Sequence, residues 1–337
     1  MTDYKTIHGK KIKFQTSDLT MSTATEGELF YSDSGKEFKV GVNVLAWSAG
    51  EAVNTARKNG SGFGIQAAAV FAGGHVSHTE IQNLTEEYDG SSWTASNTLN
   101  TARTQLQGTT AGILTAGLVF GGNIPPGSAP HANESNATEE YNGTSWTSGN
   151  NMATTVTSMG GSGTQTAAFS AGGNEGGTPK NNSQEYDGTN WSNGNNINTA
   201  RQTLVGMGTQ TAGLAVGGEV SPPSSSPGAT EEYDGTNWTN GTASNTGRHS
   251  GSGGGIQTAG IIFGGTTVTP DAVKALTEQY DGTSWTEVAD LATARTYCGG
   301  NNGPNTASLC IAGATPTLTG VTEEFSASTT LKTVTDS

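Results

Sequence analysis

A short apolar segment that ends in Gly-Gly recurs along the chain, with small and large residues alternating in it. In residues 116–120, Ala116, Leu118 and Phe120 share one face of a strand and Gly117 and Val119 the other, because side chains alternate along a strand. Both faces are therefore apolar, so each such strand needs a packing layer on each side. Equivalent segments lie at Ala68–Ala72, Ala167–Ala171, Ala212–Val216, Ala259–Phe263 and Ala307–Ile311.

These segments belong to a longer repeat. The spacing Tyr-(Asp/Asn)-Gly-x-x-Trp begins at Tyr88, Tyr141, Tyr186, Tyr233 and Tyr280, at intervals of about 47 residues. Each repeat reads as an Asn-Thr-Ala-Arg-like first strand, a Gly-rich turn, the apolar strand, a variable loop, and Thr-Glu-Glu-Tyr-Asp-Gly leading to the Trp strand. The Asp-Gly pairs favour type I′ hairpin turns. A fixed period of this length predicts stacked four-stranded units.

A closed ring of sheets gives every sheet two neighbours without end caps. We therefore predict an all-β, six-bladed β-propeller over residues 41–337. In the last repeat Phe325 replaces Tyr and Thr330 stands where Trp is expected, whereas Trp47 lies one period before the first motif. The N-terminal strand around Trp47 is expected to complete the last blade, which also removes an exposed strand edge.

The apolar strand ending in Gly-Gly, followed by a Tyr and then a Trp, resembles kelch-type β-propellers over residues 42–335. Gly-Thr-Gln-Thr-Ala at 163–167 and 208–212, with the recurring Thr-Glu-Glu-Tyr-Asp-Gly, is similar to kelch-like proteins of marine bacteriophages. This resemblance implies a non-enzymatic structural protein of the virion, associated with the tail as a fibre or a tail-tip adaptor. It also implies assembly in the host cytoplasm.

A charged pair recurs within the repeats. A Glu stands two residues before each motif Tyr or its counterpart Phe325, except that repeat three has Gln184, and an Arg precedes each Gly-rich segment, except that repeat three has Val156. Because both charges are missing from the same repeat, we predict that each Arg pairs with the Glu of its own blade as a structural tie, not a catalytic group. The pairs are Arg57–Glu86, Arg103–Glu139, Arg201–Glu231, Arg248–Glu278 and Arg295–Glu323.

The composition of the chain excludes some classes of function. The chain has 15 basic and 29 acidic residues, which argues against nucleic-acid binding because phosphate contacts need clustered Lys and Arg. The first residues contain no apolar core of a signal peptide, and we predict no membrane insertion. Cys298 and Cys310 replace Leu106 and Val119 of repeat two, so we interpret them as core residues rather than a disulfide.

Six dissimilar loops follow the apolar strands and form the predicted binding surface, because recognition residues concentrate on loops that a rigid scaffold presents. Unconstrained drift explains the variation equally well. The candidate contact residues are His75, His78, Pro125, His131, Glu175, Lys180, Pro222, Asp271 and Lys274. Three of these are histidines, but no Cys or carboxylate completes a metal site, and we predict no metal or cofactor. The sequence has no nucleophile elbow, zincin or phosphate-loop motif.

Residues 1–40 do not follow the repeat. Residues 11–14 alternate like a short strand, and residues 27–40 read as a hairpin turning at 33–35. A two-stranded hairpin is marginal alone, so we predict that residues 1–40 dock onto other virion proteins or a second copy of the chain. A partly disordered leader is the alternative.

Three functions remain open. The first is the virion protein, whose propeller loops contact a host-surface glycan or protein or a neighbouring subunit. The second is a lectin or glycan-acting enzyme with a site at the central channel. The third, ranked last, is an adaptor of the cellular kelch kind, because such adaptors carry an interaction domain for which residues 1–40 are too short.

Overall fold

The computed structural model describes residues 13–15, 29–32, 35–109, 112–125, 133–300 and 303–334. These residues form strands, turns and loops and contain no helix. The chain divides into two compact units, one of Met1–Ala46 with Ser326–Ser337 and one of Trp47–Phe325. The division falls within two long strands.

The smaller unit is built on a mixed sheet. Its strands are β1 (Lys13–Gln15), β2 (Leu29–Ser32) and the first part of β3 (Glu37–Gly50), and the end of the last strand of the chain joins them beside β3. Strand β1 runs parallel to β2, while β2 and β3 form an antiparallel hairpin that pairs Leu29 with Val40. The turn expected at 33–35 includes residues outside the described ones. Phe30 is buried in this unit.

The larger unit consists of similar antiparallel sheets, three of which carry a small extra hairpin in the variable loop. The first sheet has β4 (Ser61–Ile65), β5 (Ala68–Ala72), hairpin β6 (His75–Ser77) and β7 (Glu80–Ile81), β8 (Thr85–Tyr88) and β9 (Trp93–Ser96). The second has β10 (Gln107–Gly108), β11 (Gly117–Phe120), β12 (Thr138–Tyr141) and β13 (Trp146–Ser148). The third has β14 (Gly160–Thr164), β15 (Ala167–Ala171), hairpin β16 (Asn174–Glu175) and β17 (Thr178–Pro179), β18 (Ser183–Tyr186) and β19 (Trp191–Asn193).

The remaining sheets follow the same plan. The fourth has β20 (Val205–Thr209), β21 (Ala212–Val216), β22 (Thr230–Tyr233) and β23 (Trp238–Asn240). The fifth has β24 (Ser252–Ile256), β25 (Ala259–Phe263), hairpin β26 (Thr266–Val268) and β27 (Asp271–Val273), β28 (Thr277–Tyr280) and β29 (Trp285–Glu287). In the sixth, β30 (Gly299–Gly300), β31 (Ala307–Ile311) and the start of β32 (Thr322–Thr333) are followed by the end of β3, which contains Trp47.

The Gly-rich segments are the first strands of the sheets, and the prediction that they form turns was wrong. The Asn-Thr-Ala-Arg segments instead lead into them as loops. First strands of successive sheets contact one another, including those of the sixth and first sheets. A Cβ on Gly62 would stand 2.2 Å from the Gly300 carbonyl oxygen, and one on Gly206 would stand 2.1 Å from the Gly161 nitrogen. Glycine is required because the backbones meet directly.

The Asp-Gly hairpins also differ from the prediction. Tyr88 pairs with Trp93 across a four-residue loop, in which Gly90 has a positive φ of 90° while Asp89 does not. Asp89 Oδ1 accepts hydrogen bonds from the Ser91 and Ser92 amides, each at 2.8 Å. A type I′ turn needs two residues with positive φ, so the carboxylate, and not that turn type, shapes these loops.

Candidate functional site

One residue from the loop before each first strand lines the mouth of a cavity in the larger unit. These residues, here called the mouth ring, are Asn59, Gln105, Ser158, Thr203, Ser250 and Tyr297. The backbone amide of each donates to the carbonyl of a neighbouring member at 2.6 to 3.0 Å, and the six hydrogen bonds close into a cycle. Every member has a φ of 53° to 58°, a left-handed conformation that non-Gly residues rarely adopt.

The ring surrounds a cavity of about 90 Å³, and a second cavity of about 80 Å³ lies against the glycines of the first strands. The ring members carry amide or hydroxyl groups, with Tyr297 as the aromatic one, and the apolar side chains Leu106, Met159 and Leu204 also line the cavity. Residues held in sparsely populated conformations concentrate at binding sites, which makes the mouth the leading candidate site. Sequence reasoning missed it, although each member stands two residues after the repeat Arg or its counterpart Val156.

The variable loops begin beside this ring. The residue before each ring member forms an antiparallel bridge with the first residue of the same repeat's loop, and these first residues differ: His75, Asn123, Asn174, Glu219, Thr266 and Ala314. His75 Nδ1 lies 2.7 Å from Thr104 Oγ1, and Asn174 Nδ2 donates to Gln202 Oε1 at 2.5 Å. The Asp-Gly turns lie at the opposite ends of the third strands, because neighbouring strands are antiparallel.

The candidate contact residues differ in their exposure to solvent. His78, Pro125, Pro222 and Asp271 are exposed, and Lys274 is half-buried. Glu175 Oε2 and Lys180 Nζ form a partly exposed ion pair at 3.3 Å. His131 lies outside the described residues. His75, proposed as a loop contact, is instead buried, with 4% of its surface exposed. Among the described residues, no group of three or more His, Cys, Asp or Glu side chains is placed to hold a metal.

The structure brings all five predicted Arg–Glu pairs together in the interior. Arg103 Nη2 donates to Glu139 Oε1 at 2.7 Å, Arg248 Nη1 donates to Glu278 Oε1 at 2.6 Å, and Arg57–Glu86 and Arg295–Glu323 are similarly close. Arg201 Nη1 lies 3.0 Å from Glu231 Oε1 without hydrogen-bond geometry. Burial lowers the pKa of Arg57, Arg103, Arg201 and Arg248, while the paired carboxylate opposes this shift.

Each Glu also holds the loop that leads into its sheet. Glu86 Oε2 accepts from the Asn54 amide at 2.6 Å, and the other four glutamates make the same contact. In repeat three, Gln184 Oε1 accepts from the Ala153 amide at 2.8 Å while its Nε2 donates to Thr154 Oγ1 at 3.0 Å. Gln184 therefore keeps the loop contact and needs no arginine. This explains the joint loss of both charges.

A second set of ties joins neighbouring sheets and was missed from the sequence. The Tyr hydroxyl of one sheet donates to the second Glu of the preceding Thr-Glu-Glu-Tyr segment, as in Tyr186 to Glu140 at 2.5 Å and Tyr280 to Glu232 at 2.6 Å. The same bond joins Tyr88, Tyr141 and Tyr233 to Glu324, Glu87 and Glu185. In the sixth sheet Phe325 replaces the Tyr, and in the fifth sheet Gln279 replaces the Glu that would accept its hydrogen bond. This joint replacement is the sequence signal from which the Tyr–Glu ties could have been predicted.

The Trp indoles form a third set. Trp146 Nε1 donates to Thr85 Oγ1 at 3.0 Å, and Trp93, Trp191 and Trp285 contact the corresponding Thr of the preceding sheet. Trp47 does the same: its Nε1 donates to Thr277 Oγ1 at 3.0 Å, and its ring lies 4.9 Å from Phe263 and 5.1 Å from Phe325. Trp47 thus makes, beside Phe325, the indole-to-Thr contact that Trp93, Trp146, Trp191 and Trp285 make beside their Tyr residues.

Cys298 and Cys310 are buried free thiols, in the core positions expected from the repeat. Cys298 borders both cavities. Within the described part of the chain, no helix has the length and apolar character needed to span a membrane.

Comparison with known proteins identifies the type of fold. No family model matches the chain, and no curated protein does. The chain is similar to the solved structure of YjhT, a β-propeller-type protein, with a TM-score of 0.66 and 15% sequence identity over 83% of this chain and 99% of that one. The likeness and the repeated four-stranded antiparallel sheets together place the larger unit among folds of the β-propeller type.

Proposed function

We propose that the larger unit is a closed six-bladed propeller whose last blade is completed by the strand containing Trp47. The cycle of six hydrogen bonds through the mouth ring supports this arrangement, because the cycle uses one residue from the loop before the first strand of each of six sheets. The sheet order, which places the end of β3 beside β32, supports the closure.

The propeller is a non-enzymatic recognition scaffold, and its mouth ring and loops are the binding face. The observation that carries this proposal is a contrast within each sheet. The Arg–Glu, Tyr–Glu and Trp–Thr ties recur with nearly the same partners from sheet to sheet, whereas the residues that open the loops beside the mouth differ in charge and shape. A rigid frame with dissimilar loops is the layout that recognition modules use.

The setting that we favour is a bacteriophage particle, with the smaller unit attaching the protein to the tail, where second copies of the chain assemble beside it. The basis for this assignment to a phage particle is the resemblance of the repeat motifs to those of kelch-like phage proteins. Mass spectrometry of purified particles, combined with antibody-labelled electron microscopy, tests it. We expect the chain at the tail, and its absence from particles would refute the virion role.

The binding face is tested separately with the labelled full chain on host cells. Exchanging loop residues 219–229 for residues 266–276 of the fifth repeat should reduce binding, because it changes the face and leaves the ties intact. The matched control is Asp281→Asn in a turn at the opposite end. Equal loss in both variants, or no loss in either, would refute the assignment of the face.

Glycan binding at the mouth is the second candidate function. The observation in its favour is Tyr297, an aromatic ring among the amide and hydroxyl groups of Asn59, Gln105, Ser158, Thr203 and Ser250. Small-ligand sites combine an aromatic or apolar surface with a few polar groups that fix the orientation of the ligand. A glycan array probed with the wild-type chain and with Tyr297→Ala tests it, since specific binding should be lost in the variant.

A further inference from the structure

The larger unit carries its positive charge unevenly. Residues 47–325 contain five arginines and three lysines. All five arginines are buried in the Arg–Glu ties, so the positive charges outside the ties come from Lys58, Lys180 and Lys274, of which the last two lie in variable loops. Lys58 is next to the mouth-ring residue Asn59. The larger unit therefore carries its cations outside the Arg–Glu ties at the loop end, where Lys180 is paired with Glu175.

Lys58, next to the mouth-ring residue Asn59, pairs with the loop that carries His75 and His78. Its backbone bridges to His75 through two hydrogen bonds of 2.9 and 3.1 Å. The His75 and His78 rings stack with centroids 5.5 Å apart, and Lys58 Nζ lies 5.4 Å from the Tyr297 ring centroid. This group of Lys58, His75 and His78 is called the basic corner below.

His75 has unused hydrogen-bonding capacity. Its Nδ1 contacts Thr104 Oγ1, but its Nε2 is buried and has no hydrogen-bond partner among the described residues. Burial, then Lys58, then His78 lower the His75 pKa to about 4, so the ring is neutral near pH 7. Each such orphaned group in a native fold needs an explanation. A bound anion would provide one, because it would offset the like charges and accept hydrogen bonds from this side of the mouth.

We propose that the basic corner is a binding site for an anionic group, a carboxylate or a sulfate or phosphate ester. The proposal rests on the proposed function, in which the loop end is the recognition face, and it specifies the ligand chemistry of one part of that face. An acidic saccharide would place its anion at Lys58 and a sugar ring near Tyr297, whereas a free inorganic anion would use the corner alone. The shared chemistry is the anion.

The test is an imidazole nitrogen NMR titration of the ¹⁵N-labelled full chain at constant ionic strength. The probes are sodium sulfate, tetragalacturonate and the neutral maltotetraose. We expect sulfate or tetragalacturonate to shift the imidazole nitrogen resonances of His75 and His78, because a bound anion changes the charge beside both rings. Glu80, Thr104 and Lys58 are the other charged or polar groups to follow there. His249, at the Lys58 position of repeat five, should not respond.

Lys58→Met should weaken anion binding at least tenfold, and the control Lys332→Met, at an exposed lysine of the smaller unit, should leave it unchanged. Tighter binding of tetragalacturonate than of sulfate would assign the anion to a saccharide, and equal binding would assign it to a free anion. No site-specific shift up to 50 mM sulfate, an equal response of His249, or unchanged affinity in Lys58→Met would overturn the proposal. If loop exchange still abolishes cell binding in that case, the recognition face stands and the anion site alone is wrong.

Discussion

The buried tie between Arg201 and Glu231 allows a double-mutant cycle whose outcome repeat three already suggests. Arg201→Val leaves Glu231 in the interior with the Asn198 amide, 2.6 Å away, as its remaining partner, and Glu231→Gln leaves a buried guanidinium without its counter-charge. Breaking a buried pair by removing one partner costs about 3–5 kcal/mol. We therefore expect each single variant to lose about that much unfolding free energy.

The double variant reproduces the natural Val156 and Gln184 of repeat three. Because the amide keeps the loop contact and no charge remains buried, we expect a loss of about 1–3 kcal/mol, which reflects the lost arginine packing. The coupling energy is then about 3 kcal/mol or more. Urea unfolding followed by tryptophan fluorescence measures all four corners of the cycle.

The exposed pair provides the control for this cycle. Lys180→Met breaks the partly exposed ion pair with Glu175, and we expect it to change the unfolding free energy by less than about 1 kcal/mol. Additive losses at Arg201 and Glu231, or single losses as small as this control, would refute the claim that the two charges are retained only as a pair.

Three further predictions concern the ties between sheets. Ser183 stands where other sheets have Thr, and neither its hydroxyl nor the Trp238 indole has a hydrogen-bond partner among the described residues. In urea unfolding, Ser183→Thr should therefore raise the unfolding free energy by about 1 kcal/mol, and Thr230→Ser, which disturbs the bond to Trp285, should lower it by a similar amount. Phe325→Tyr and Gln279→Glu together should be more stable than the sum of the two single variants in thermal unfolding, because they restore the missing Tyr–Glu bond. Burial and then the Glu87 hydrogen bond raise the Tyr141 pKa to about 12. The contribution of Tyr141 to the unfolding free energy should therefore be fully present below pH 10 and fall as the pH rises towards 12. A native fold whose Tyr141 titrates near pH 10 by absorbance would contradict this.

Comparing the repeats within the sequence predicted the features that recur from one repeat to the next. The period, the apolar second strands and the Arg–Glu pairs could be found because each repeat serves as a comparison for the others, and Val156 with Gln184 shows the pairing without any alignment. The first strands could not be predicted, because β-propensity disfavours the glycines of segments such as Ser252–Ile256. Close backbone approach overrides that propensity, and it depends on contacts between repeats.

The mouth was harder to predict for a related reason. Its members share a backbone conformation and a hydrogen-bond cycle but no side-chain type, so Asn59 and Tyr297 look unrelated in the sequence. His75 was interpreted as an exposed loop residue because it follows Gly-Gly, yet the bridge to Lys58 draws it into the interior. Positions defined by backbone geometry leave little trace in residue type, which is why the loops were predicted and the ring was not.

The central claim is that the strand of Trp47 is the missing member of the sixth sheet. Trp191 is its matched comparison: its Nε1 donates to Thr138 Oγ1 at 2.9 Å and its ring lies 4.9 Å from Phe120, almost the geometry of Trp47 with Thr277 and Phe263. The measurement is the urea unfolding free energy of Trp47→Ala and Trp191→Ala in the full chain. We predict losses of about 3–5 kcal/mol that agree within about 1 kcal/mol. A loss below about 1 kcal/mol for Trp47→Ala, beside a full loss for Trp191→Ala, would show that the ring does not depend on this strand.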